Sequence, residues 1–190
     1  MTTVSIIGNG NMGQAIGAVV AAGGHSVEVI GRDAAQAPTG DVVVLAVPYP
    51  SLAGIAAERA QQLAGKVVVD LSNPLDFSTF DSLVVDADSS AAAELQAKLP
   101  ESKVLKAFNT NFAGTLAAKT VGGLPTTVLI AGDDQAAKDL LADVVRAGGL
   151  NATDAGALSR ARELESIGFL QLVLAVREQV GWTGGFAVAA

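Results

Sequence analysis

Six residues near the amino end offer the clearest chemistry. Gly8-Asn9-Gly10-Asn11-Met12-Gly13 is a G-x-G-x-x-G run that follows an apolar strand pattern, Val4 to Ile7, and opens an Ala-rich helical stretch, Met12 to Ala22. A strand before and a helix after are the context in which this motif holds a dinucleotide. Gly8 allows the tight turn, Gly10 lets the backbone approach a diphosphate, and Gly13 lets helix and strand pack closely. The helix N-terminus adds unpaired N–H groups and a partial positive charge where the diphosphate would lie.

The end of the second strand decides which dinucleotide fits. An acidic residue there would bind the ribose hydroxyls of NAD and repel a 2′-phosphate. The chain instead reads Ile30-Gly31-Arg32-Asp33. Gly31 leaves room and the Arg32 guanidinium can fork onto a phosphate, so NADP(H) is the expected cofactor. Glu28 sits inside the strand rather than at its tip, and is no rival.

Three further strand ends carry polar or rigid residues: Val47-Pro48-Tyr49-Pro50, Ser72-Asn73-Pro74-Leu75 and Phe108-Asn109-Thr110-Asn111. All should converge on one sheet edge. Pro48 and Pro74 fix the backbone, and Asn73 and Asn109 offer amide donors and acceptors suited to a carboxamide or a ribose. The single histidine, His25, follows Gly23-Gly24 at a helix C-terminus and reads as structural. No side chain is singled out as catalytic, which favours hydride transfer between bound groups, with the protein supplying position and electrostatics. Two other uses stay open: a dinucleotide-binding sensor without turnover, and an imine or carbonyl reductase with Tyr49 as proton donor.

The elements that must position these residues alternate. Val27 to Ile30, Val42 to Val47 and Lys66 to Asp70 extend the Val- and Ile-rich strand pattern, and Ser51 to Leu63 reads as a helix. Asp33 to Asp41 is too short for a full crossover helix. Helices are expected at Ser90 to Leu99 and Asp134 to Ala147, with strands at Val104 to Phe108, Thr126 to Ala131 and Leu150 to Asp154. A last helix should run from near Ser159 to about Val180, with Leu164, Ile167, Leu170, Val173, Leu174 and the Arg177 stem as its apolar stripe. The pattern predicts an α/β, Rossmann-type doubly wound parallel sheet over residues 1–158 and a C-terminal helical extension over 159–190 that packs on it. The stripe and the tail around Trp182 and Phe186 serve either that packing or contact with a second copy in a homodimer.

Composition narrows the partners. Half of the 190 residues are hydrophobic and 16% are charged, which suits a folded core. Twelve basic against nineteen acidic residues, a net charge of −7, disfavour nucleic acid and anionic membranes. The chain has no cysteine, so disulfides, thiolate chemistry and cysteine-ligated metals are excluded, and no metal site is expected. A cytoplasmic protein is the expectation.

Together these residues resemble the F420-dependent NADP oxidoreductases, whose pattern is shared by the nucleotide-binding domain of STEAP-type metalloreductases. The likeness runs through Ile6 to Gly13, Gly31-Arg32, Ala46-Val47-Pro48, Ser72-Asn73-Pro74, Val104 to Thr110, Ala131-Gly132-Asp133-Asp134 and Asp154 to Leu158. It implies that Asn9, Asn11 and Met12 line the phosphates, that Gly31 and Arg32 meet the 2′-phosphate, and that Val47, Pro48, Asn73, Ala107 and Asn109 surround the nicotinamide. It also implies a small-molecule redox partner, coenzyme F420 (a deazaflavin) or a flavin, near Asn109, Thr110, Asn111 and the start of the last helix. The region after Phe108, Asn109-Thr110-Asn111, stands where the deazaflavin enzymes often carry His-Thr.

Overall fold

Val42 to Leu45 shows how so short a strand serves two cores. Successive side chains of a strand point to opposite faces. Val42 and Val44 accordingly join one cluster of buried side chains while Val43 and Leu45 join another. The computed structural model of the chain describes residues 1–31 and 35–189. Its elements run β1 (Thr3–Ile7), α1 (Asn11–Ala22), β2 (Ser26–Ile30), β3 (Val42–Leu45), α2 (Leu52–Leu63), β4 (Val67–Asp70), α3 (Ala91–Lys98), β5 (Lys103–Lys106), α4 (Ala113–Ala118), β6 (Thr120–Val121), β7 (Leu124–Pro125), β8 (Thr127–Gly132), α5 (Gln135–Ala147), β9 (Asn151–Gly156) and α6 (Ala161–Val176). One cluster packs α1, α4 and α5 on the sheet, and the other packs α2, α3 and the start of α6 on the opposite face. This is a doubly wound, Rossmann-like α/β fold.

Seven strands lie in the order β2-β1-β3-β4-β5-β8-β9, with β6 and β7 as a separate two-stranded ribbon. The chain goes outward from β1 to β2, then returns past β1 to β3, so the winding reverses between β1 and β3. Open sheets of this kind hold ligands in the crevice outside the carboxyl ends of the strands at such a reversal.

The structure departs from a wholly parallel sheet in one place. β5 and β8 pair antiparallel, whereas β8 and β9 are parallel. The cause lies in residues 107–126, which return to the carboxyl edge before β8 begins. There Asn111 Nδ2 donates to the Thr127 carbonyl (3.1 Å), so β8 enters the sheet from the edge at which β5 leaves it. α4 and the ribbon in this segment are too short to show a period in the sequence. β2 also differs from the buried pattern: it is an edge strand, and Val29 is half exposed.

Between β2 and β3 the described residues form no helix, in keeping with the short connection. Side chains hold it instead. Ser5 Oγ donates to Glu28 Oε2 (2.6 Å), which also accepts from the Thr39 N–H (2.9 Å), while the Gly40 N–H donates to Ser5 Oγ (2.9 Å). The Ser5 bond, first, and the Thr39 N–H bond hold the Glu28 carboxyl below the usual range. His25 is structural as read, its Nδ1 accepting from the Thr2 N–H (3.2 Å).

The last helix stops at Val176, and its buried face is not the apolar stripe the sequence suggests. Leu164 and Val173 are buried, but Leu170 is half exposed, and the face turned inward includes Ala161, Glu165, Gly168, Gln171 and Ala175. Small and polar residues lie there because this helix climbs past the strand ends, where polar side chains need partners.

α1 is seated at its far end by a glycine pair. A Cβ on Gly23 would lie 2.9 Å from the Gly148 nitrogen, and one on Gly148 would lie 2.5 Å from the Val19 carbonyl oxygen. Both neighbours are backbone and cannot swing aside. Gly148→Ala should therefore destabilise the protein by about 1–3 kcal/mol, as an overpacked site does; urea unfolding at neutral pH measures it, and an unchanged midpoint would contradict the packing described.

Candidate functional site

The glycine loop stands at the winding reversal, where two of its three glycines leave no room for a larger residue. Gly8 has φ +114°, and a Cβ on it would overlap the Ala46 carbonyl oxygen, at the end of β3. A Cβ on Gly13 would lie 2.5 Å from the Gly8 oxygen. Gly10 is different: nothing lies within 4 Å of where its Cβ would be, so its backbone faces open space.

That open backbone leads into an uncapped helix. The Ser90 and Asp134 side chains accept from N–H groups in the first turns of α3 and α5. α1 has no such cap and no acidic residue in its first turn. Its first N–H groups have no helical acceptor and are left for an external anion.

Asn11 and Met12, in that first turn, also line a cavity of about 520 Å³ at the carboxyl edge, within the range of small-molecule sites. Val47, Pro48, Asn73 and Asn109 line it too, so six of the residues expected at the cofactor site share one wall. Gly8, Asn9, Gly10 and Gly13 make the loop beside it. Gly31 is exposed past the end of β2, and Arg32 and Asp33 lie outside the described residues. Ala107 and Pro74 are buried, and neither lines the cavity; Ala107 belongs to the core cluster.

Asparagines dominate the polar wall. Asn109 Nδ2 donates to Asn73 Oδ1 (2.9 Å) and to the Leu164 carbonyl (2.8 Å), and Asn73 Nδ2 donates to the Asn109 carbonyl (3.0 Å). The two side chains are thereby locked together. Asn109 Oδ1, Asn111 Oδ1 and Ser72 Oγ are buried without a partner, although all three residues line the cavity. Buried polar atoms left unpaired cost about 1–3 kcal/mol each, so acceptors of this kind are suited to a ligand's donors. Phe108, just before them, also lines the cavity and has φ +64° while 2% exposed, a strained conformation.

Behind this wall is a group that sequence reading missed. The Lys106 ammonium, fully buried, is 2.8 Å from Asp70 Oδ2 and 2.8 Å from Glu165 Oε1, and donates to the Ser72 carbonyl (2.5 Å). Glu165 Oε2 also accepts from the Ala91 N–H (3.1 Å) at the start of α3. One ammonium thus joins β4, β5, α3 and α6, and fixes Ser72 beside Asn73. The signal available was two charged residues, Asp70 and Lys106, each directly after an apolar run of its strand, Val67 to Val69 and Val104-Leu105. Burial, outweighing the pull of Lys106, holds the Glu165 carboxyl above its usual range. Gly168, one turn beyond Glu165, lets α6 approach: a Cβ there would overlap Asn73 Oδ1 and lie 2.9 Å from Asn109 Nδ2.

Tyr49 lines the cavity, but its hydroxyl donates to Glu94 Oε2 (2.8 Å). Burial, then that bond, push its pKa up to about 12. Among the described residues no cluster of His, Cys, Asp and Glu could hold a metal ion, and no helix is long and apolar enough to cross a membrane.

Fold and site together define a dinucleotide-binding α/β protein. The family model described as "NADP oxidoreductase coenzyme F420-dependent" matches residues 26–74. The F420-dependent NADP reductase of Methanocaldococcus jannaschii is 31% identical over 168 residues, covering 85% of this chain and 74% of that protein. The chain belongs to the family of F420-dependent NADP oxidoreductases. It is also 33% identical to rat metalloreductase STEAP3 over 86% of its own length, but spans only 36% of that protein. A crystal structure from Arthrobacter sp. FB24, of a proposed F420-dependent NADP reductase, superposes over the whole of both chains with a TM-score of 0.86 at 26% identity.

Two substitutions test the wall. Lys106→Met strands two buried carboxylates and should cost about 3–5 kcal/mol in urea unfolding; a loss under about 1 kcal/mol would remove the ammonium from its organising role. For Glu165 the raised pKa gives the sign: its contribution favours folding at low pH and is lost as pH rises through the raised value. Carboxylates held below their usual range, Glu28 among them, act in the opposite sense, so the difference is what is read: the stability of the parent relative to Glu165→Gln should fall from acid to neutral pH, and a difference that stays flat or rises would contradict the raised value.

Proposed function

We propose that this protein transfers a hydride between NADP(H), held on the Gly8–Gly13 loop, and a deazaflavin (F420) or flavin-type acceptor in the adjoining cavity. The observation that carries this reading is the continuity of the two: the uncapped first turn of α1, below the open Gly10 backbone, is itself part of the cavity wall. A diphosphate there would receive the first N–H groups of the helix. Bound NADP(H) supplies the hydride at its nicotinamide ring. Everything else is positioning by the chain. Val47 and Pro48 give a rigid apolar side to the wall, and the unpaired oxygens of Asn109 and Asn111 can accept from a carboxamide. The locked Asn73–Asn109 pair keeps them in place, and Arg32 is assigned to the 2′-phosphate.

The Tyr49 contact disfavours the imine or carbonyl reductase alternative. A phenol with a pKa of about 12, already donating to Glu94, is a poor proton donor at neutral pH. Tyr49→Phe should leave turnover within about twofold.

Turnover distinguishes an enzyme from a sensor. NADPH mixed with the protein and F420 or a flavin should lose its absorbance at 340 nm catalytically; tight NADPH binding with no oxidation by any of them would favour the sensor. Arg32→Ala should weaken NADPH by about 1.5–3 kcal/mol, the value of a charge-assisted hydrogen bond, and leave NADH affinity nearly unchanged. Calorimetry reads both, and equal losses would remove Arg32 from the 2′-phosphate.

A further inference from the structure

The chain contains one Trp, one Tyr and six Phe. The Trp, the Tyr and three of the Phe line the same cavity: Trp182, Tyr49, Phe77, Phe108 and Phe112. In a chain with 4% aromatic residues, that concentration marks a surface for a planar ring. Two of the five are large apolar side chains left more than half in solvent, Phe77 at 57% and Trp182 at 56%. Trp182 leans on Phe112, with ring centroids 5.0 Å apart and planes tilted by 56°.

Trp182 is carried on the segment after α6, which is fastened along its length. A Cβ on Gly114, in the first turn of α4, would lie 2.7 Å from the Trp182 carbonyl oxygen, so the two backbones are in contact. Further on, the Phe186 N–H donates to Gln171 Oε1 (3.1 Å), and Gln171 Nε2 donates to the Thr110 carbonyl (3.2 Å). The indole is therefore held against the cavity rather than swinging free. The other property of this wall is its lack of charge. Among the described residues that line the cavity there is no Lys, Arg, His, Asp or Glu; its polar side chains are Ser, Thr, Asn and the Tyr hydroxyl.

We propose that Trp182 selects the redox acceptor by stacking on its fused ring, and that the cavity recognises the ring alone, leaving any phosphate or acidic tail of the acceptor outside. This rests on the hydride-transfer reading above and deepens it, since it assigns recognition of the acceptor to a residue of the C-terminal tail. Flavins and deazaflavins share the required chemistry, a neutral tricyclic ring with polar edges. An acceptor stripped of its charged tail should bind about as well as the intact one.

The test is calorimetric titration of riboflavin, FMN and F420 into protein saturated with NADP⁺, for the parent and for Trp182→Ala, Trp182→Phe and Phe77→Ala. Riboflavin and FMN are expected to agree within about threefold. Trp182→Ala should weaken whichever ring binds by about tenfold or more, the scale of an aromatic stacking contact, and Trp182→Phe should restore most of the loss. All four proteins should still bind NADP⁺ and unfold at similar urea concentrations, which shows that each is folded. Acrylamide quenching of the single tryptophan should fall when the ring binds. The proposal is overturned if Trp182→Ala binds the ring as tightly as the parent, if FMN binds more than about tenfold tighter than riboflavin, or if no ring binds the NADP⁺-loaded protein. Failure to bind NADP⁺ at all is a separate result, and brings down the hydride-transfer reading itself.

Discussion

A single buried ammonium governs the geometry of this site. Lys106 has no contact with water, and removing an ammonium from water is costly unless opposite charge and hydrogen-bond acceptors surround it. Asp70, Glu165 and the Ser72 carbonyl supply them, from β4, from α6 and from the loop after β4. Moving any of them takes a hydrogen-bond acceptor from a buried ammonium. Because Glu165 also receives the first N–H groups of α3, the same constraint reaches the second helical layer. Ser72 and Asn73 come two and three residues after Asp70, and Asn109 comes three residues after Lys106. Fixing the two charged strand ends therefore fixes the two asparagines that meet across the cavity.

On that frame the site combines a backbone cradle with a polar but uncharged pocket. The α1 terminus attracts negative charge without any lysine or arginine in its first turn, which suits a chain of net charge −7 that must still hold a diphosphate. Deeper in, the groups left unpaired are oxygens: two asparagine carbonyls and one serine hydroxyl. A wall with acceptors to spare and no acid recognises a neutral amide or ring edge. It does not supply a proton, and the Tyr49 phenol is engaged elsewhere. That division fits hydride transfer, where the protein contributes distance and orientation while the bound groups contribute the reactivity.

Much of this was legible from residue order because it depends on local constraints. The glycine loop, the strand ends at Val47-Pro48 and Ser72-Asn73 and the asparagine at 109 declare themselves by type and by position after an apolar run. What escaped depends on contacts distant in sequence. Glu165 reads as an exposed helix residue until α6 is docked, and only then does its partner, 59 positions earlier, become visible. Gly168 looks like a weak point in a helix, yet it is the point of closest approach to Asn73. The apolar stripe of α6 misled for the same reason, since this helix meets a polar edge rather than a greasy face. The reversal of β8 could not be read either, because strand direction is set by where the preceding segment crosses, and that segment shows no period.

The most direct measurement is a crystal structure of the protein grown with NADP⁺. The diphosphate should lie on the N–H groups of the first turn of α1, above Gly10, with the carboxamide paired to the asparagine oxygens at 109 or 111 and the 2′-phosphate beside Arg32. A dinucleotide bound elsewhere, or one in this groove that leaves those oxygens unpaired and the guanidinium turned away, would contradict it.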